Sequence, residues 1–108
     1  MSRLLLIPTS SVASERIAFY NQAIKLHKRN ELPGVEYAKR IAIATGLKEE
    51  KIEDAIREDI VVVDGSNPEL VRDLPDSENV FVIFPSFKNP TARTIQTAKR
   101  YLRRHKIN

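Results

Sequence analysis

Ile60-Val61-Val62-Val63-Asp64-Gly65-Ser66-Asn67-Pro68 is the stretch on which the reading of this chain turns. Four aliphatic residues run without polar interruption and stop at an Asp-Gly turn. A continuous apolar run of this length fits a strand covered on both faces, the habit of a central parallel sheet. Pro68 then sits where proline is welcome, at the first position of a helix, here 68–73. Working outward, Leu4-Leu5-Leu6-Ile7 ends at Pro8 and Val80-Phe81-Val82-Ile83-Phe84 ends at Pro85. Both runs have the same character, so three strands are expected.

Between the strands the apolar period becomes helical. In residues 12–28, Ala13, Ile17, Tyr20 and Ile24 share one stripe, with Phe19, Ala23 and Leu26 beside it. Ser11 is the expected N-cap, and Glu15 lies where negative charge favours a helix start. Residues 35–45 are expected to form a second helix ended by Gly46, and 48–58 a third. A last helix opens at Pro90 or Thr91 and runs to about Lys106. Strands alternating with helices argue an α/β fold. The expected architecture is a small three-stranded, parallel, Rossmann-like sheet flanked by helices, with a helical hairpin between strands 1 and 2. The connection from Asp64 to Asn79 is long enough for a parallel crossover, and an antiparallel return is the other option. At 108 residues the chain is expected to be a single domain, 1–108.

Composition excludes several chemistries. There is no Cys, hence no thiol nucleophile, disulfide or Cys-ligated metal, and the two His are far apart. No apolar run approaches a membrane span. The basic-then-apolar start is too short for a signal-peptide core, so a cytoplasmic protein without membrane contact is expected. No metal, cofactor or catalytic constellation emerges: Ser10 or Ser11 would need a positioned base. The function class favoured is binding rather than catalysis.

The net charge of +4 conceals an uneven layout: residues 1–47 carry +4, 48–79 carry −7 and 88–108 carry +7, with no acid after Glu78. Such asymmetry suggests a polyanionic partner. Self-association is a second use of the acidic 48–79 and basic 88–108 segments.

Residues 37–56, Tyr37-Ala-Lys-Arg-Ile-Ala-Ile-Ala-Thr-Gly-Leu-Lys-Glu-Glu-Lys-Ile-Glu-Asp-Ala-Ile56, resemble the helix-turn-helix of DNA-binding proteins. Ala42 stands where the helices would cross, Gly46 at the turn, and Leu47, Ile52 and Ile56 at the apolar positions. The resemblance implies a DNA-reading regulator. Charge opposes it, because Lys48 to Asp59 has a net charge of −3 where phosphate contacts need Lys or Arg.

The basic C-terminal helix is the better candidate for nucleic acid. Thr91, Ile95, Ala98 and Leu102 share one stripe. Arg93, Arg100, Arg103 and Arg104 cluster on roughly the opposite side, suited to phosphate. Tyr101 offers a ring for base stacking. The alternative site lies at the carboxyl ends of the strands, where open parallel sheets bind ligands. There Thr9, Ser10 and Ser11, then Asp64, Ser66 and Asn67, then Ser86, Lys88 and Asn89 would form a nucleotide or phosphate site. Asp64 would serve as acceptor, for example for a ribose hydroxyl. No glycine-rich phosphate motif accompanies these loops.

Overall fold

The computed structural model describes residues 3–29, 31–32, 41–43 and 49–105. Its elements are β1 (Leu4–Ile7), α1 (Ala13–Lys28), β2 (Ile41–Ile43), α2 (Glu49–Glu58), β3 (Ile60–Asp64), α3 (Pro68–Asp73), β4 (Val80–Ile83), β5 (Arg93–Thr94) and α4 (Ile95–His105). The five strands form one sheet in the order β2-β1-β3-β4-β5. The first four are parallel and β5 returns antiparallel to β4. The α/β class and the parallel pairing of the three expected strands therefore hold. The count of three strands does not, since β2 and β5 extend both edges.

Side-chain alternation explains the unbroken apolar runs. Leu5, Ile7, Val61, Val63, Val80, Val82 and Phe84 pack in one layer with Ile52 and Ala55 of α2, Val71 of α3, and Ile95, Ala98 and Leu102 of α4. Leu4, Leu6, Val62 and Ile83 pack in the other with Phe19, Ala23 and Leu26 of α1. Both faces are covered, so β1, β4 and β3 up to Asp64 are apolar at every position. The layering also follows from handedness. The chain moves from β1 outward to β2, then back across β1 to β3 and on to β4. Right-handed crossovers put the first helix on one face and the next two on the other. The direction of winding reverses between β1 and β3.

Three expectations need correction. Residues 41–43 form a strand paired with Leu4–Leu6, not the core of a helix over 35–45. The helical hairpin between strands 1 and 2, and the first helix of the helix-turn-helix resemblance, are lost with it. Pairing along the open edge of β1 outweighs a helical pattern that rested on a few small residues. The flanking residues 33–40 and 44–48, Gly46 and Leu47 included, lie outside the described residues. The last helix begins at Ile95, not at 90 or 91. Thr94 caps it, its hydroxyl accepting from the Thr97 amide at 3.2 Å, and Arg93–Thr94 belongs to the sheet. On α1 the N-cap is Val12 rather than Ser11. Its buried stripe is Phe19, Ala23 and Leu26, while Ile17 is 56% exposed.

Candidate functional site

The winding reversal brings the β1–α1 and β3–α3 turns side by side at the carboxyl edge. The Thr9 hydroxyl donates to the Asp64 carbonyl at 3.0 Å, tying the two turns together. Asp64 itself is fully buried. Its Oδ1 accepts from the Ser66 amide at 2.9 Å and the Ser66 hydroxyl at 2.6 Å, while Oδ2 has no hydrogen-bond partner among the described residues. Ser10 accepts from the Val12 amide at 3.1 Å and donates to Glu15. The Arg16 guanidinium donates to the Ser10 carbonyl at 3.2 Å. Gly65 is required by close approach, since a Cβ there would lie 2.6 Å from Cδ1 of Phe84.

Four of the nine residues expected at the strand ends, Thr9, Ser10, Asp64 and Ser66, are thus joined in one bonded turn pair. Asn67 has a local task, capping α3 by accepting from the Leu70 amide. Ser11 and Ser86 are exposed. Lys88 and Asn89 lie elsewhere. They line a groove with Gln22, Lys25 and Arg29 of the α1 end, where Gln22 donates to the Pro90 carbonyl at 2.9 Å. At 1.5 Å per residue, Lys25 is roughly 18 Å along α1 from its first turn. Sequence reasoning missed this groove because its cations, Lys25 and Arg29 on one side and Lys88 on the other, come from two segments far apart in the chain.

The basic C-terminal segment divides in two. Arg93 and Tyr101 belong to an aromatic cluster rather than to an open face. Phe84 stacks on Phe87 at 4.9 Å between centroids, Tyr101 meets both rings, and His105 meets Tyr101 at 4.3 Å. The Arg93 guanidinium lies 5.1 Å from the Phe87 centroid and 5.8 Å from that of Tyr101. Its Nε is buried without a hydrogen-bond partner. A strand residue covering aromatic rings was invisible to a helical projection that placed Arg93 with the later arginines.

Arg100, Arg103 and Arg104 are exposed, with Gln96 and Thr97, opposite buried Ile95, Ala98 and Leu102. Spacings of three and four make Arg103 and Arg104 surface neighbours of Arg100. Among the described residues no carboxylate forms an ion pair with any of the three. Lys99, between them in sequence, points the other way. It donates to the Leu74 carbonyl and pairs with Asp76 at 2.9 Å, so the acidic middle neutralises one cation of the basic segment within the same chain.

The fold is an α/β sheet with helices on both faces, with one bonded turn pair at its winding reversal and one exposed arginine face. No family model, no curated protein and no solved structure matches the chain. Among the described residues no helix is long and apolar enough to cross a membrane.

Proposed function

We propose that the protein binds nucleic acid by neutralising phosphates with Arg100, Arg103 and Arg104 of α4. The observation that supports this reading most is that, among the described residues, no carboxylate pairs with these three adjacent guanidiniums, on a helix that contains no acidic residue. Basic residues near a helix C-terminus also complement its macrodipole. That accounts for Arg103 and Arg104 better than for Arg100 in the preceding turn. Guanidiniums suit phosphate because they offer paired donors and are weakly hydrated. Such contacts position a polyanion and carry little sequence information. Tyr101 is not part of the contact, because its ring is packed against Phe84 and Phe87.

The test is fluorescence anisotropy with mixed-sequence oligonucleotides at low salt. The variant Arg100→Ala/Arg103→Ala/Arg104→Ala is expected to lose binding. Lys25→Ala/Lys28→Ala/Arg29→Ala, which removes the same charge from the opposite face of the sheet, is expected to keep it. Absence of binding by the unaltered protein at low salt, or equal loss in both variants, would contradict the assignment to α4.

A further inference from the structure

Asp64 offers an observation that the nucleic-acid reading does not use. Buried carboxylate oxygens are nearly always hydrogen-bonded, and leaving one unpaired is costly. Yet Oδ2 of this fully buried residue has no partner. The carboxylate cannot turn Oδ2 toward Ser66 without surrendering the two bonds that Oδ1 already makes there.

The direction of the side chain follows from the alternation of β3. Val61 and Val63 point into the layer of α2, α3 and α4, and Val62 into the layer of α1. Asp64 therefore leaves the strand on the α1 side, beneath the turn whose Thr9 hydroxyl holds its carbonyl. The turn that carries Thr9 leads into α1, a helix of 16 residues whose N-cap Val12 supplies no side-chain hydrogen bond to the first amides. The place is also the one where open parallel sheets bind ligands, at the carboxyl ends of the strands where the winding reverses.

The geometry points to a site for the ribose-phosphate part of a nucleotide: a sugar hydroxyl donates to Oδ2 of Asp64, and the phosphate rests on the Ala13 and Ser14 amides at the start of α1. A hydroxyl supplies the donor that Oδ2 lacks. A metal ion is less well served. Among the described residues no three His, Cys, Asp or Glu come together, and hard cations take several oxygen ligands. Uncapped helix amides favour an anion. Glu15 lies in the same first turn, but its carboxylate is engaged by the Ser10 hydroxyl, and Arg16 brings a compensating positive charge to the Ser10 carbonyl. Ser11 and Val12 are exposed, so the turn bonded to Asp64 through Thr9 is at the surface.

The experiment is an amide NMR titration of the full chain with ribose 5-phosphate. It is repeated with tetrahydrofurfuryl phosphate, which has the same ring and phosphate but no ring hydroxyls, and with inorganic phosphate and Mg²⁺ alone. Ribose 5-phosphate is expected to shift the Ala13, Ser14 and Ser66 amides. Losing a hydrogen bond to a charged acceptor should weaken the hydroxyl-free ester about 10- to 100-fold. Asp64→Asn is expected to weaken ribose 5-phosphate by at least about 10-fold, since charge assistance is lost. Equal affinity for the two esters would overturn the proposal even if Asp64→Asn failed to fold. So would a Ser66 shift with Mg²⁺ alone, which marks a cation site, or no shift with any probe, which marks a buried water. The α4 triple variant should bind ribose 5-phosphate as the unaltered protein does, so this site can fail while the nucleic-acid reading stands, and the reverse.

Discussion

Asp59 and Asp64 bracket the same strand, are both buried, and are held in opposite ways. At the amino end, Asp59 accepts from the Arg3 amide at 3.0 Å, from Nε at 3.2 Å and from Nη2 at 2.8 Å. That carboxylate is satisfied on both oxygens by a residue that leads into β1, and it fastens β1 to β3. At the carboxyl end, Asp64 has one oxygen satisfied by its own turn and one left over. A paired buried charge is structure, and an unpaired buried acceptor where the winding reverses is what the ribose-phosphate proposal rests on. The arginine face of α4 is a third case. Its charges are exposed and unpaired, so they contribute little to stability and are available to a partner.

This contrast predicts a graded series under urea unfolding. Arg3→Ala takes the guanidinium from the buried Asp59, which keeps the Arg3 amide, and should cost about 3 kcal/mol, the largest effect, because a buried carboxylate loses its ion-pair partner. Asp59→Ala should cost less, since the Arg3 side chain is 35% exposed and can turn to water. An equal cost for both would show that the asymmetry of burial is immaterial. Gly65→Ala drives a Cβ into the Phe84 ring and should cost about 1–3 kcal/mol. If it is neutral, the turn is looser than its packing implies. Arg93→Ala should cost about 1 kcal/mol through lost contact with Phe87 and Tyr101. Arg100→Ala, the smallest, should stay within about 0.5 kcal/mol. A cost for Arg100→Ala as large as that for Arg93→Ala would mean the two arginines are not different in kind.

The three long strands were legible in the sequence because a strand covered on both faces needs no polar position, and that leaves an unbroken apolar run. β2 and β5 were not. Three residues and two residues are too few to carry a period, and each becomes a strand only through an edge that β1 or β4 offers. The same blindness misplaced Arg93, whose membership of β5 depends on pairing with Val82. Thr9, Ser10, Asp64 and Ser66 were legible as turn residues at strand ends. That Asp64 is fully buried with one oxygen unpaired was not legible, because burial is a property of the assembled layers. Lys88 and Asn89 follow a strand, and in the sequence that position points to the same site. The antiparallel return that follows β4 carries that loop to the α1 end instead. Arg100, Arg103 and Arg104 are all exposed, and helical spacing alone brings them to one face.

The central claim, that α4 meets a polyanion through three guanidiniums, is tested most directly by the salt dependence of oligonucleotide binding. For duplex DNA each neutralised phosphate contributes about −0.9 to the slope of log affinity against log salt, so three contacts predict a slope of about −2.7. Any residual binding by the triple α4 variant is predicted to show a slope close to zero. A slope unchanged in the variant would contradict the account, because the phosphates would then be neutralised by some other part of the molecule.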